Sequence, residues 1–363
     1  MRNVKLQDIC LIEKGKQIDT NQLLSKNTYK YINGGIKESG YYTEFNTPAN
    51  TNIISEGGAS CGYVNFVDEK FWCGCHCYRL LNPSVKPKYL YYLLKANQEK
   101  IMELRTGACM PNIRKDILKN FIVKIEEDDE KQEQIIKIFD HICGILDKRQ
   151  QSLYKLDELV KSQFIEMFGD PIENTKHWES VPIGDLCEIT RGGSPRPIEK
   201  YLGGNIPWIK IGDATDGDNI YLSKTKEHII EDGVKKSRLI KQGSLIFANC
   251  GVSLGFARII KFDGCIHDGW LALQNISPKL NKVFLLMSIN QMTEHFRSIA
   301  PAGTQPNLNT SIMKAHKQII PPIELQNQYI DFVKHIDKLK FSTKKSIEKL
   351  EICYKSLMQE YFG

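Results

Sequence analysis

The sequence predicts an α+β protein in which two globular domains are separated by two long helices, and the helices pair as an antiparallel coiled coil. Two observations support this fold class. The second half of the chain repeats the first, and each half ends in a helical segment with a coiled-coil stripe. Together they predict an internal repeat with pseudo-two-fold symmetry.

The repeat extends along the whole chain. The stretch "VKLQDICLIEKG" from Val4 resembles "VPIGDLCEITRGG" from Val181, 177 positions later, and "IISEGGASCGYVNFV" resembles "LIFANCGVSLGFARII". A Pro-Asn pair ending at Asn112 recurs 195 positions later at Asn307. The final segments of the two halves align 194 apart. The order is therefore domain, helix, domain, helix.

Both helical segments carry apolar residues at a sustained period of 3.5, which is typical of a coiled-coil seam. The predicted seam residues are Ile135, Ile142, Leu146, Leu153, Leu156, Val160, Ile336, Ile347, Leu350 and Leu357. Arg149 and Thr343 interrupt the seams at equivalent positions, either to set the register or as solvated breaks. Gly169 can provide the left-handed stop of the first helix. Connectivity makes the pair antiparallel and brings the start of the first domain near the end of the second helix.

The repeat also predicts the domain boundaries. The first domain covers residues 1–128 and the first helix residues 129–170, and the second domain and helix cover 176–322 and 323–363. Within the domains, short apolar runs alternate with Gly, Asn and Pro, as in strands, and short helices interrupt them. Each domain therefore has an α+β composition.

Composition narrows the protein class. The first residues have no continuous apolar core of an export signal, and no stretch reaches the roughly 18 apolar residues that span a bilayer. Eleven cysteines scattered along such a chain indicate reduced thiols. We therefore expect a cytoplasmic protein without membrane contact. The net charge of +6 permits binding to a polyanion but does not require it.

The stretch "CGCHC", Cys73 to Cys77, raises the question of a zinc site. By its alignment with the second half, Cys73, Cys75 and Cys77 correspond to Asp268, Trp270 and Ala272, within a strand. Alternate residues of a strand point to one face, so the sulfurs would not converge with His76. Structural zinc sites use C-x2-C pairs on turns, and this sequence has none. We therefore predict packed cysteines and no metal site.

Motifs of catalysis are missing from the sequence. It contains no G-x4-GK[ST] phosphate loop, no G-x-G-x-x-G after a strand, and no Asn-Pro-Pro-aromatic stretch of the kind that grips a flipped adenine. The isolated histidines have no partner at motif spacing. The sequence thus predicts a binding protein with no catalytic residues of its own.

Loops at equivalent places in the two halves carry side chains suited to DNA. Basic residues on Gly/Pro-rich loops fit phosphate contacts, and Arg, Asn and Gln can reach purine edges in two-bond contacts. The candidates are Lys14, Lys16, Arg191 and Arg196 on the first pair of loops, and Arg105, Asn112, Arg114, Gln305, Asn307 and Asn309 on the second pair. Each residue alone also fits an ordinary solvated loop. Their parallel placement in both halves favours DNA binding.

The sequence resembles the specificity subunits of type I restriction-modification systems. The resemblance lies in the two openings "VKLQDIC" and "VPIGDLC", the Pro-Asn loops, the helix ends "FIEMFG" and "MQEYFG", and the helix start "IPPIELQNQ". The first helix start, "IKIEEDDEKQEQ", shares the glutamines but lacks the prolines. The resemblance covers the whole chain and is weak inside the domains.

The resemblance implies that residues 1–128 and 176–322 are target recognition domains, each reading one half of a split double-stranded DNA sequence. The helices would act as a spacer and as a docking surface for two modification (methyltransferase) subunits, which bring S-adenosylmethionine. Restriction subunits would add cleavage that uses ATP and Mg. The chain itself would bind no cofactor and would supply specificity alone. Helix length then predicts an unread gap of roughly 5 to 8 base pairs.

Two other classes fit the residues. A stand-alone sequence-specific DNA-binding regulator would bind its target tightly without partners. A coiled-coil protein scaffold would show no salt-dependent affinity for DNA. An adjacent adenine methyltransferase gene would favour the specificity subunit.

Overall fold

Two helices of 40 residues each, Asp129–Phe168 and Ile323–Phe362, run through the protein. The computed structural model describes residues 2–24, 28–107, 111–215, 220–301 and 307–363. The chain forms two compact units, and each long helix contributes to both. The first unit contains Met1–Ser152 with Thr343–Gly363, and the second contains Leu153–Ser342. No helix within the described ranges is long and apolar enough to cross a membrane.

The first unit begins with small strands and short helices. Its elements before the first long helix are β1 (Arg2–Lys5), α1 (Leu6–Ile9), β2 (Leu11–Lys14), β3 (Tyr29–Ile32), β4 (Gly40–Tyr42), β5 (Thr51–Ser55), β6 (Val64–Val67), β7 (Phe71–Cys73), β8 (Cys77–Leu81), α2 (Pro87–Ala96), α3 (Gln98–Glu103), α4 (Lys115–Lys119) and β9 (Ile122–Ile125). The helix α5 (Asp129–Phe168) follows.

Strand β5 shows how this unit is layered. It lies inside an antiparallel sheet of order β2-β8-β5-β6, and all of its residues are buried. Ile54 packs into the core shared with the helices, whereas Ile53 packs into a second core with Phe71, Cys73 and Cys77. Successive strand residues point to opposite faces, so both faces of this sheet are covered. The second sheet has the order β4-β3-β7, and β1 pairs with β9.

The second unit repeats this plan with longer loops. Its elements are β10 (Glu179–Pro182), α6 (Ile183–Leu186), β11 (Glu188–Arg191), β12 (Leu202–Ile209), β13 (Tyr221–Leu222), β14 (Glu227–Ile229), α7 (Glu231–Val234), β15 (Arg238–Ile240), β16 (Leu245–Ala248), β17 (Ala257–Ile260), β18 (Gly264–Ile266), β19 (Trp270–Gln274), α8 (Lys282–Gln291), α9 (Thr293–Ile299), α10 (Thr310–Ala315), β20 (Lys317–Ile320) and α11 (Ile323–Phe362).

The sheet orders confirm the internal repeat. The order β11-β19-β16-β17-β13 matches β2-β8-β5-β6 with β13 added, and β14-β12-β18-β15 matches β4-β3-β7 with β15 added. The pair β10-β20 corresponds to β1-β9. Leu245 and Phe247 on β16 pack into the core shared with the helices, and Ile246 packs on the opposite face. The predicted fold class is confirmed, with a mixed helix and sheet fold in each unit.

The two long helices are antiparallel within each unit. In the first unit, the ring centroid of Phe139 on α5 lies 5.4 Å from that of Tyr354 and 5.8 Å from that of Phe362 on α11. In the second unit, Phe164 lies 5.5 Å from Tyr329. Early residues of one helix thus face late residues of the other. Val4 also shares a core cluster with Phe362, so the start of the first domain lies near the end of α11 as predicted.

The helices bury more than the predicted seam. Among the predicted seam residues, Ile135, Ile142, Val160 and Ile336 are buried, and Leu146, Leu153, Leu156, Ile347, Leu350 and Leu357 are half-buried. A second row that includes Phe164, Phe168 and Met358 is also buried, because the end of each helix packs against the domain of the other half as well as against its partner helix. Arg149 is exposed, so it is a solvated break, whereas Thr343 is buried with 8% of its surface exposed.

Gly169 ends α5 as predicted. Its φ of +76° is left-handed, and its N–H donates to the carbonyl oxygen of Ile165 at 2.8 Å. A side chain is disfavoured in this conformation, which is why glycine is the common residue after a helix.

Candidate DNA interface

The loops that follow β2 and β11 are held in the same way in the two units. The N–H of Gly15 donates to the carbonyl oxygen of Cys77 at 3.1 Å, and the N–H of Gly192 donates to that of Trp270 at 2.9 Å. A Cβ atom on either glycine would come within 2.2 Å of a carbonyl oxygen of the facing turn. Only glycine fits so close a backbone approach, so each loop lies directly on a turn between two strands.

The loop after the buried central strand meets the Pro-Asn loop, again in both units. In the first unit, the N–H of Ile113 donates to the carbonyl oxygen of Glu56 at 2.8 Å, and the N–H of Glu56 donates to the carbonyl oxygen of His76 at 2.8 Å. In the second unit, the N–H of Leu308 donates to the carbonyl oxygen of Asn249 at 2.8 Å, and the N–H of Asn249 donates to the carbonyl oxygen of Gly269 at 2.9 Å. Four segments, distant in sequence, therefore converge at one place in each unit. We call this arrangement the loop framework.

The hydrogen bonds of the loop framework correct the predicted alignment of "CGCHC". Gly15 and Gly192 are equivalent, and their N–H groups donate to the carbonyl oxygens of Cys77 and Trp270. Cys77 and Trp270 are therefore equivalent as well, and equivalent residues in this part of the two units lie 193 apart. The predicted offset of 195 was wrong, because the two units differ in loop length on either side. Cys75 therefore corresponds to Asp268 and not to Trp270.

The stretch "CGCHC" forms a turn and not a continuous strand. β7 ends at Cys73, β8 begins at Cys77, and the turn between them carries Cys75. Cys73 and Cys77 are buried in the core, where the Sγ of Cys77 accepts the N–H of Gly34 at 2.9 Å. A hydrogen bond to Cys77 and burial raise the pKa of Cys73. Within the part of the chain that the structure describes, no group of three potential ligands is placed to hold a metal ion.

A buried carboxylate anchors the basic residue of the first framework. The Nζ of Lys14 lies 2.7 Å from the Oε1 of Glu56, whose side chain is 9% exposed. The same carboxylate oxygen accepts the hydroxyl of Tyr78 at 3.2 Å, and burial, followed by the charge of Glu56, raises the pKa of that hydroxyl. The Lys14 side chain is 48% exposed, so Glu56 holds it in position while it remains accessible to a ligand.

Next to Lys14, three polar side chains form a network across the turn. The Oε1 of Gln17 accepts the thiol of Cys75 at 2.9 Å and the Nδ2 of Asn33 at 3.3 Å. The Oδ1 of Asn33 accepts the N–H of His76 at 3.1 Å. The network fixes two amide groups at the surface of the first unit.

The second framework is charged at the same place. The Nε of Arg191 donates to the carbonyl oxygen of Asp268 at 2.8 Å, and the hydroxyl of Ser194 donates to the carboxylate of Asp268 at 2.7 Å. Burial raises the pKa of Asp268, but the hydrogen bond from Ser194 and the nearby charges of Arg191 and Arg196 act against it, so the pKa is lowered. This carboxylate is therefore ionised at neutral pH.

His267 is neutral in this arrangement. Its Nδ1 accepts the N–H of Gly269 at 2.9 Å and lies 3.0 Å from Asp268. Burial lowers the pKa of His267 and outweighs the opposing effect of Asp268. An unprotonated Nδ1 is consistent with the hydrogen bond from Gly269, so the contact with Asp268 is not an ion pair. The ring stacks at a tilt on Trp208, with centroids 5.6 Å apart.

Two further cations, Lys210 and Arg196, lie near the turn that carries His267 and Asp268. The charges of Lys210 and Arg196 both act on His267. The Nζ of Lys210 pairs with Glu227 at 2.7 Å at the surface. Arg196 lines a cleft with Trp208 and His267. The second framework can therefore offer several cations to an anionic ligand, with one ionised carboxylate among them.

The sequence matches the family described as "Type I restriction modification DNA specificity domain" over residues 1–154 and 175–352. The chain belongs to this family. A protein of Mycoplasma genitalium, named a putative type I specificity subunit, is 24% identical over 368 residues, which cover 97% of this chain and 91% of the relative. The EcoDI specificity subunit of Escherichia coli is 21% identical over 376 residues, which cover 92% and 83%.

A solved structure shares the fold. The crystal structure of the type I restriction-modification S subunit from M. genitalium superimposes with a TM-score of 0.62 at 22% sequence identity, over 100% of this chain and 96% of that one. The family match and the named relatives confirm the prediction of a DNA sequence-specificity subunit. The regulator and scaffold alternatives are thereby set aside.

For a specificity subunit, the placement of the predicted DNA-binding residues is informative. In the first unit, Lys14 and Asn112 both belong to the loop framework, since Asn112 pairs with Gly57 beside the anchored carboxylate. Lys16 and Arg105 are exposed near it. Arg114 is different, because its guanidinium group pairs with the carboxylate of Asp116 at 2.7 Å next to a helix start.

In the second unit, Arg191, Arg196 and Asn307 come together around the turn that carries Asp268. Asn307 pairs with Cys250, and its Oδ1 accepts the side-chain amide of Asn249 at 3.1 Å. Asn309 has a structural partner instead, because its side chain caps α10 by accepting the N–H of Ile312 at 2.9 Å. Gln305 lies outside the described residues.

Sequence reasoning missed several residues of the two frameworks. They are Gln17, Asn33, Glu56 and Cys75 in the first unit, and Ser194, Lys210, Asn249, His267 and Asp268 in the second. The usable signal was the glycine at equivalent positions after β2 and β11. A close backbone approach at that glycine indicates which turn the loop touches.

Proposed function

We propose that this chain reads a bipartite DNA target, with one half-site for each unit. The observation that supports this most directly is the loop framework, which occurs twice with a cation at the same position, Lys14 in one unit and Arg191 in the other. Both are exposed cations at the end of a strand, β2 or β11, and exposed cations fit DNA phosphates. Because the side chains around the two cations differ, the half-sites should differ in sequence.

The long helices α5 and α11 provide the spacer between the half-sites and a docking surface for two methyltransferase subunits. Several large apolar side chains on these helices are exposed, and they are Tyr154, Leu159, Ile165, Leu339, Phe341 and Ile352. A partner subunit would cover this apolar surface. In this proposal the partner subunits bind S-adenosylmethionine and methylate adenine, and restriction subunits, where present, use ATP and Mg.

The chain itself contributes specificity and no catalysis. The framework side chains either bind one another or face solvent as cations and amides, which is the chemistry of recognition rather than of bond cleavage. The purified chain alone should therefore neither methylate nor cut DNA.

The test is to express the chain with the methyltransferase subunit of its own system and to map methylated adenines by single-molecule sequencing. We expect two short half-sites separated by an unread gap of roughly 5 to 8 base pairs. The chain without the methyltransferase, and the methyltransferase without the chain, are the controls. A continuous target, or methylation by the chain alone, would contradict the proposal.

The docking surface has a separate test. Leu159→Ser combined with Ile165→Ser should reduce co-purification of the methyltransferase, because both side chains are exposed on α5. Glu158→Gln, at an exposed position beside Leu159, is the matched control. Unchanged co-purification of the double variant would place the methyltransferase on another surface.

A further inference from the structure

The two loop frameworks share a backbone and differ in their side chains. A cation (Lys14 or Arg191), a glycine (Gly15 or Gly192) and an asparagine (Asn112 or Asn307) occupy equivalent positions. Three other pairs of equivalent positions carry different side chains, and we call them the variable positions. They are Gln17 and Ser194, Asn33 and Lys210, and Cys75 and Asp268.

Backbone hydrogen bonds establish each of these equivalences. The N–H of Lys16 donates to the carbonyl oxygen of Cys73 at 2.9 Å, as the N–H of Gly193 does to that of Ile266 at 3.0 Å, so the next residues, 17 and 194, correspond. Ile32 pairs with Cys73 at the end of β7, and Ile209 pairs with the equivalent Ile266 at the end of β18, so residues 33 and 210 correspond. The two turns then align residue 75 with residue 268.

Side-chain contacts at the variable positions are also equivalent. In the first unit, Cys75 donates to Gln17 across the turn at 2.9 Å, and in the second unit Ser194 donates to Asp268 at 2.7 Å. A fixed backbone that carries different polar groups at the same points is what two readers of different sequences need. We propose that the variable positions determine which bases each half-site contains, which rests on the proposed reading of two half-sites.

The side chains at the variable positions of the first unit favour an adenine. An amide can donate to N7 and accept from N6 of adenine in a two-bond contact. Asn33 can do so, because its Oδ1 accepts one hydrogen bond, from the N–H of His76, and has a second lone pair. The Oε1 of Gln17 already accepts from Tyr31, Asn33 and Cys75, so Gln17 offers its NH2 group to a base. Within the described residues, each amide nitrogen donates one hydrogen bond, from Gln17 to the carbonyl oxygen of Ile18 and from Asn33 to Gln17. Each NH2 group has a second hydrogen for a base edge. The network holds both amides in place before DNA arrives.

The side chains at the variable positions of the second unit favour a G·C pair. Lys210 can donate to O6 and N7 of guanine, and the carboxylate of Asp268 can accept from N4 of cytosine. The pair between Lys210 and Glu227 lies at the surface, where such pairs contribute little stability, so the ammonium group can exchange to DNA. Ser194 holds one carboxylate oxygen of Asp268 and leaves the other for a base.

The variable positions are also accessible to a ligand. Gln17 and Lys210 are exposed, and Asn33, Cys75 and Asp268 are partly exposed.

The experiment exchanges the variable positions between the units in the full chain, in complex with its methyltransferase. Gln17→Ser, Asn33→Lys and Cys75→Asp together give the first unit the side chains of the second. Selection of bound sequences from randomised DNA should show a changed first half-site, with the gap and the second half-site unchanged. The reciprocal exchange, Ser194→Gln, Lys210→Asn and Asp268→Cys, should change only the second half-site.

A matched control and a smaller variant complete the test. Glu99→Gln with Lys100→Gln changes two exposed residues of α3 in the same unit and should leave both half-sites unchanged. Lys210→Ala alters one exposed side chain and should reduce discrimination at one base pair of the second half-site by about 10-fold to 100-fold, even if the exchanged chains fail to fold. The single variant therefore gives a result in either case.

The outcomes separate the two proposals. A first half-site that changes or loses its base preference, with the second kept, supports the inference. Unchanged half-sites in the exchange and in Lys210→Ala overturn it while the bipartite target stands. A continuous target in the unaltered complex overturns the proposed function itself.

Discussion

The Oε1 of Gln326 lies 2.8 Å from the backbone nitrogen of Asn281, the residue that caps helix α8. The amide nitrogen of Gln326 donates to the carbonyl oxygens of Lys279 and Pro321 at 2.9 and 2.8 Å. In the first unit, the equivalent Gln132 accepts the N–H that precedes helix α2 at 2.9 Å. Both glutamines are buried, so the glutamine of each helix start ties a long helix to its own domain.

We predict that Gln326→Ala destabilises the second unit by about 2 to 3 kcal/mol, because it leaves the half-buried N–H of Asn281 and two carbonyl groups, one of them on the buried Pro321, without their partner. Denaturant-induced unfolding, followed by circular dichroism, measures the loss. Gln328→Ala removes an exposed glutamine two residues later and should change stability by less than about 0.5 kcal/mol. Equal effects of the two variants would show that the buried hydrogen bonds contribute little.

A second prediction concerns the cations of the loop framework. Arg191→Ala should weaken DNA binding by the complex at all sequences, and the slope of log K against log salt should become shallower by about 1. Titrations at several salt concentrations measure this slope. Lys124→Ala, an exposed cation on β9, is the control and should leave the slope unchanged. An altered base preference with an unaltered slope would assign Arg191 to base contact.

Lys14 needs a different variant, because removing its ammonium group leaves the buried carboxylate of Glu56 without its ion-pair partner. The Lys14→Met variant should lose stability as well as affinity, since the Glu56 side chain would remain buried without its ion-pair partner. Adding Glu56→Gln should restore stability but not the salt slope. Binding titrations and thermal unfolding of the single and double variants separate the two effects.

The helices and the repeat could be predicted from sequence because their signals are periodic or long. A heptad stripe and a 40-residue match tolerate small errors in alignment. The turn at "CGCHC" could not be placed, since it depends on an offset of 193 that only the hydrogen bonds of Gly15 and Gly192 reveal. Glu56 was missed for a similar reason, because nothing in its local sequence indicates burial beside Lys14.

A third prediction follows from His316 in the second unit. Burial, followed by the charge of His295, lowers the pKa of His316 from 6.5 to about 4. Its ring lies 4.8 Å from that of Phe296, and its Nε2 is buried without a hydrogen-bond partner among the described residues. The unfolded chain binds a proton at this residue that the folded chain excludes, so stability falls as pH falls from about 6.5 to about 4.

Replacing this histidine should remove that part of the pH dependence. The His316→Phe variant should lose less stability than the parent chain between pH 6.5 and pH 4, with a difference of up to about 3 kcal/mol. Unfolding midpoints measured across this range provide the test. His335→Phe, an exposed histidine on α11, is the control and should follow the parent chain. Parallel pH curves for His316→Phe and the parent would contradict the burial of the ring.

The last prediction tests the helices as a spacer. Inserting one heptad into α5 after Arg149 and another into α11 after Thr343 lengthens both helices by about 10 Å and keeps the apolar stripe in phase. Ten ångströms correspond to about 3 base pairs of 3.4 Å, so the unread gap should widen by about that number while both half-sites stay the same. Mapping methylated adenines in cells that carry each version measures the gap. A heptad in α5 alone is the matched control, because it puts the two helices out of register and should lower methylation rather than widen the gap. An unchanged gap with the paired insertion would mean that DNA bending or the partner subunits, and not the helix length, determine the spacing.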